Sequence, residues 1–150
     1  MGLDRLRGVL QRHQQIALDS SVLIYQLETN PKYVGLTDVV FAWVALPKSR
    51  AVTSTITMTE VLVPPYRASD QKLADNFYGL LATYPNLEWI PLGLEIADLA
   101  TRVRAQHNLR TPDAVHAATA IYRHATVLVT NDPVFSRIPD FDTLILDRFL

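Results

Sequence analysis

The chain has 150 residues, 49% hydrophobic and 19% charged, and fifteen acids against fourteen bases leave a net charge of −1. Such a length suits one compact domain, at roughly 100 to 200 residues per domain, and the charge balance excludes both a disordered chain and a body that grips duplex DNA by bulk positive charge. With no cysteine, disulfides, thiolate ligands and cysteine nucleophiles are excluded together, so any metal must use oxygen or histidine.

Leu3, Leu6, Val9 and Leu10 recur at helical spacing among arginines, which predicts a short amphipathic helix within an extension over residues 1–15. The opening MGLDRLRGVLQRH has charges every few residues and no signal-peptide core, and no run reaches the length of a membrane span; a cytoplasmic protein is expected. Ile16-Ala17-Leu18 reads as a buried strand ending at Asp19, with a helix opening in SSVLIYQLE and stopping at Asn30-Pro31. TDVVFAWVAL predicts a helix capped by Thr37. AVTSTI is β-branched and predicts a strand, and TMTEVLV turns into a helix expected to stop at Pro64-Pro65. SDQKLADNFYGLLATY, opening at Ser69, predicts another helix, LEWI a strand, GLEIADLATRVRAQHN and PDAVHAATAIYRH two helices, and VLVT and TLIL the last strands.

This alternation predicts an α/β domain over residues 1–150, with a mostly parallel sheet covered by helices on both faces. Ligands of such sheets sit at the carboxyl ends of the strands. Four acids fall where an apolar core does not want them. Asp19 and Asp132 each follow an apolar strand, and neighbouring parallel strands would bring both to one sheet edge; each can equally be a helix or turn cap. Asp113 lies in a first helical turn after Thr111, the expected cap, and Pro112, where the helix dipole alone would stabilise it. Glu60 sits among apolar and small residues, on a helix where a solvated face is the plainer alternative.

Carboxylates gathered in one pocket repel and raise one another's pKa unless a cation neutralises them. Oxygen donors without thiolate favour Mg²⁺ or Mn²⁺ over Zn²⁺, and such an ion suits phosphodiester hydrolysis. A receiver domain would need adjacent acids after the first strand, and a DxDxT phosphatase a second aspartate at Ser21; neither is present.

The segments ALDSSVLIY, TMTEVL, RTPDAVHAATA and LVTNDPVF resemble, in order, the acidic motifs of PIN domains, with VapC-like toxins most similar, over roughly residues 16 to 147. The resemblance implies a three-layer fold around a five-stranded parallel sheet, an acidic pocket for Mg²⁺ or Mn²⁺, and cleavage of RNA. It makes Asp19, Glu60, Asp113 and Asp132 the metal and catalytic set. Ser20, Thr130 and Asn131 lie beside them and would orient water or ligands. His116, one turn after Asp113, can reach the pocket, although a packed or solvated histidine is the commoner outcome. Arg104, Arg110 and Arg123 flank the Asp113 motif and would meet RNA phosphates if they are more than solvated. Phe41, Trp43, Phe77 and Tyr78 read as core or dimer surface. The partners implied are RNA, a small antitoxin protein and a second copy of the chain. The competing expectations are an inert PIN-fold scaffold that binds RNA or protein, and a housekeeping RNA-processing nuclease.

Overall fold

The computed structural model describes all 150 residues. Five strands, β1 (Gln15–Leu18), β2 (Arg50–Ser54), β3 (Leu87–Ile90), β4 (Val127–Thr130) and β5 (Asp142–Ile145), form one sheet in the order β3-β2-β1-β4-β5. All four ladders are parallel. Register and the two-residue side-chain period divide the core between the faces. Ile16 pairs with Ala51 and Val127, and Leu18 with Val129, all within one buried cluster. Ala17 pairs with Val52 and Leu128 in the other.

The first face is covered by α1 (Gly2–Leu10), α2 (Ser20–Leu27), α3 (Val34–Val44) and α6 (Gln71–Ala82), with α4 (Ile56–Val61) supplying Val61. The second face is covered by α7 (Leu94–His107) and α8 (Thr111–Tyr122). Helix α8 buries every residue from Asp113 to Ala120. Its alanines at 114, 117, 118 and 120 let the helix backbone approach the sheet closely. The amino-terminal segment joins this core: Leu6 and Leu10 are fully buried, and α1 packs on α3 and on the closing 3-10 turn at residues 146–149.

Several helix starts differ from the sequence reading. Thr37 lies inside α3, where its hydroxyl bonds Gln26 Oε1 and the Val34 carbonyl, and Tyr33 takes the capping position. A hydroxyl can satisfy such mid-helix bonds as readily as a cap. Pro64-Pro65 open a further helix, α5 (Val63–Arg67), instead of ending α4 in a loop; the first turn of a helix tolerates proline because its N–H groups lack intrahelical partners. Asp70, not Ser69, caps α6, accepting from the Leu73 N–H at 3.0 Å. Arg110, not Thr111, precedes α8 and offers no side-chain cap.

Leu128 is fully buried in a strand with neighbours on both sides. Leu128→Ala is expected to cost about 2–5 kcal/mol, lowering Tm by roughly 4–20 °C at the ~2–4 °C per kcal/mol typical of this size. A calorimetric shift below about 2 °C would show that the second layer collapses to fill the gap.

Candidate active site

The carboxyl ends of β1 and β4 lie side by side, and Asp19 follows the first of them. Its backbone N–H continues the ladder to the Val129 carbonyl at 3.2 Å. Its side chain caps α2: Oδ1 accepts from the Ser21 N–H at 3.1 Å and the Ser21 hydroxyl at 2.6 Å. The Thr130 hydroxyl donates to Oδ2 at 2.5 Å and accepts from the Asp132 N–H at 3.0 Å. One threonine therefore ties the two strand-end acids together. Asp132 in turn caps the 3-10 turn at residues 133–137, accepting from the Val134 N–H at 2.9 Å. For both aspartates the capping role and the shared edge coexist.

Asp19 is only 6% exposed. Desolvation pushes its pKa above the ordinary aspartate value, against the bonds from Ser21 and Thr130 and the charge of His116. Glu60 reaches the same region from α4, where its Oε1 accepts from His116 Nε2 at 3.1 Å. That bond is the main reason its pKa is lowered; burial opposes it, and Ser20 and Arg110 assist the lowering. Since a carboxylate only accepts, Nε2 carries the proton, and the buried Nδ1 of His116 has no hydrogen-bond partner. Asp113, on the first turn of α8, pairs with Arg110 at 3.2 Å, and the arginine side chain is 78% exposed.

Asp19 and Asp132 are thus joined through Thr130, Glu60 is bonded to His116 and Asp113 is paired with Arg110, and the three groups feel one another through charge, His116 acting on Asp19 and Arg110 on Glu60. They do not converge tightly: no three Asp, Glu or His side chains are close enough to share an ion. By donor type the residues fit a hard divalent cation, and the raised pKa of Asp19 marks buried negative charge that a cation would relieve. As arranged, His116 holds Glu60 and Arg110 holds Asp113.

Three expected contacts lie elsewhere. Asn131 donates to the Tyr25 hydroxyl at 3.2 Å and accepts from the Asp147 N–H at 2.9 Å, fastening the end of β4 to α2 and the closing turn and leaving the acids alone. Arg123 follows the last residue of α8, ten residues beyond Asp113 or about 15 Å along the helix, and pairs with Glu88 at 2.8 Å. Proximity in sequence to the Asp113 motif does not survive the length of the helix. Arg104 turns inward to the Leu109 carbonyl at 3.3 Å, supporting the loop before α8. The sequence reading passed over Ser21, which makes two bonds to Asp19. It also missed Thr53, whose buried hydroxyl donates to the Leu18 carbonyl at 2.9 Å and meets Thr57 at 2.8 Å. The serine two residues after the strand-end acid, where a capping aspartate finds its N–H donor, was the available signal for Ser21; nothing in a β-branched strand distinguishes Thr53.

Thr130→Val keeps the shape but leaves a buried carboxylate oxygen and the Asp132 N–H without their shared partner. A loss of about 1–3 kcal/mol is expected, read as a lower urea midpoint. An unchanged midpoint would mean that the strand-end acids are not coupled through this hydroxyl.

Among curated proteins no sequence matches this chain. Solved structures with the same fold include VapBC-1 from nontypeable Haemophilus influenzae, at 21% identity and a TM-score of 0.67, covering 89% of this chain and 98% of that one. A toxin–antitoxin complex from Klebsiella pneumoniae matches at 22% identity and a TM-score of 0.66, with 87% and 97% covered. DNA-bound VapBC from Salmonella typhimurium matches at 22% identity and 0.64, with 88% and 98% covered. The family model for the PIN domain matches residues 16–140, which take in β2, β3, β4, all but the first residue of β1, and the four acids, and the chain belongs to the PIN domain family.

Proposed function

We propose that this protein is a divalent-metal-dependent ribonuclease, the toxin of a VapBC-like toxin–antitoxin pair. The observation that carries the proposal is the set of four engaged acids: Asp19 and Asp132 share the Thr130 hydroxyl, and Glu60 and Asp113 are held by His116 and Arg110, whose charges act on Asp19 and Glu60. PIN-family membership and a fold shared with toxin–antitoxin proteins support it. In this reading Asp19, Asp113 and Asp132, with Glu60, would hold Mg²⁺ or Mn²⁺. When bound, the ion neutralises charge at the scissile phosphate and makes water a better nucleophile.

The chain's own groups then have distinct tasks. Ser21 and Thr130 fix both oxygens of Asp19, so the carboxylate needs no reordering to act as a ligand. His116 keeps Glu60 ionised, leaving its carboxylate able to accept a proton from the attacking water. Arg110, exposed and adjacent to Asp113, would exchange that partner for an RNA phosphate. Asp19→Asn and Asp113→Asn are expected to lower Mn²⁺-dependent cleavage of mixed RNA at least 100-fold, a scale of about 2.7 kcal/mol in the barrier. Metal-free Tm of Asp19→Asn should hold or rise, because a desolvated charge is removed. Cleavage at the parental rate by either variant would remove that residue from the site and favour an inert scaffold for the remainder.

The partners in this reading are a small antitoxin and a second copy of the chain. Tyr66, Tyr78 and Leu80 are each more than half exposed on α5 and α6, leaving apolar surface for symmetric pairing, whereas Phe41, Trp43 and Phe77 are in the core. An antitoxin segment bearing arginine or lysine would pair with the acids and block RNA. No helix is long and apolar enough to cross a membrane, in keeping with the cytoplasmic setting proposed here. Sedimentation of the chain alone, then with the product of the reading frame beside its gene, is expected to give a dimer and then a heavier complex with suppressed cleavage. A strict monomer would end the pairing, and a neighbour that does not bind would favour a housekeeping RNA-processing role.

A further inference from the structure

At the amino ends of the strands, on the edge opposite the acids, three loops converge: the turn from α1 to β1, the α3–β2 loop and the α8–β4 loop. They are held rigidly. Arg50 N–H donates to the Gln14 carbonyl and Thr126 N–H to the Gln15 carbonyl, both at 3.1 Å, while His13 Nδ1 meets the Thr126 hydroxyl at 2.7 Å. Between them lies a groove of about 960 Å³ without a single hydrophobic residue, lined by Arg12, His13, Lys48, Arg50 and His124 among neutral polar groups. No carboxylate lines it. Asp142 is the one acid whose charge is felt at His13.

Arg12, Lys48 and Arg50 are exposed and make no ion pair. In a chain of net charge −1, three unpaired cations around one concave surface are a local excess. Lys48 and His124 also adopt left-handed backbone, at φ 71° and 58°. Glycine would satisfy that conformation without the steric cost of a side chain. The chain instead places a lysine and a histidine there.

An adjoining groove of about 900 Å³ shares Gln15, Arg50 and His124 and extends to Tyr122 and Arg123. Tyr122 is exposed at 38%, with the Arg123 guanidinium 5.3 Å from its ring centroid. Glu88 in this groove is neutralised by Arg123. Unpaired cations in a polar trough beside an exposed aromatic match a single strand of nucleic acid, whose phosphates need the charges and whose bases can stack on the ring. A lipid surface would instead need a convex face with apolar side chains to insert.

We propose that this edge is a second phosphate-binding surface, which anchors the backbone of single-stranded RNA away from the acidic end. Only the choice of RNA rests on the ribonuclease reading; the phosphate chemistry stands without it. The test is fluorescence anisotropy of a labelled 20-nucleotide RNA binding to the full chain in EDTA, so that cleavage plays no part. The triple variant Arg12→Gln/Lys48→Gln/Arg50→Gln is expected to bind at least ten-fold more weakly at low salt. Its slope of log affinity against log salt should be shallower by about 2, at roughly 0.7 per phosphate contact for single strands. Lys48→Gly removes one cation while easing the backbone, so its Tm should hold or rise while the slope falls by about 0.7. Arg102→Gln, an exposed arginine elsewhere on α7, should change neither quantity. Unaltered affinity and slope in the triple variant and in Lys48→Gly would overturn the proposal, whether or not the protein proves to cleave RNA with Mn²⁺. Equal binding of single-stranded DNA would support the phosphate surface and overturn its assignment to RNA. Tighter binding of polyglutamate or phosphatidylglycerol vesicles, lost in the same variants, would overturn the nucleic-acid occupant.

Discussion

The carboxylate of Asp19, buried at the end of the central strand, is the constraint around which the acidic edge is built. A charge so placed is unfavourable unless every oxygen is engaged. The structure engages them from two directions, with Ser21 on the helix that Asp19 starts and Thr130 on the neighbouring strand. Thr130 can reach only because β1 and β4 are adjacent and parallel in a register that pairs Leu18 with Val129. An antiparallel neighbour would put its end at the opposite edge. Strand order, register and the state of one carboxylate are therefore a single problem with a single solution.

The remaining acids depend on that solution to differing degrees. Asp132 follows it directly, since its backbone N–H shares the Thr130 hydroxyl. Glu60 and Asp113 arrive on helices, and each brings or meets a basic partner, His116 or Arg110. His116 is the more informative of the two. Buried at 4% exposure with an unpartnered Nδ1, it spends no bond on stability beyond the one to Glu60.

Most of the fold was legible in the sequence because its signals are local. Apolar runs ending in an acid mark β1 and β4, and period-3.6 patterns mark α6 and α7. Helix starts were less legible, since proline in Pro64-Pro65 can end one helix or open another, and only the packing of α5 against α6 decides. Each acid had a local alternative, a cap for Asp19 and Asp132, a first-turn charge for Asp113 and a solvated face for Glu60, and the strands alone brought Asp19 and Asp132 to one edge. The particular bonds, Thr130 to both strand-end acids and His116 to Glu60, were not legible, because they depend on strand register and on which face α8 turns inward. Arg123 shows the same limit from the other side: adjacent in motif, it is a helix length away in space.

Composition conceals a further asymmetry. Fifteen acids and fourteen bases read as balance, yet the two ends of a sheet only four or five residues long differ in kind. At the carboxyl edge the acids are engaged by hydroxyls, a histidine and an arginine; at the amino edge Arg12, Lys48 and Arg50 remain unpaired around a polar groove. Parallel topology makes such a separation available, since every crossover returns the chain from one edge to the other and each kind of loop recurs on its own side. Side chains in the strand-to-helix turns never share an edge with those in the helix-to-strand turns. A net charge near zero is thus compatible with a strongly charged surface at either end, and the number that excluded a uniformly basic protein leaves a locally basic one intact.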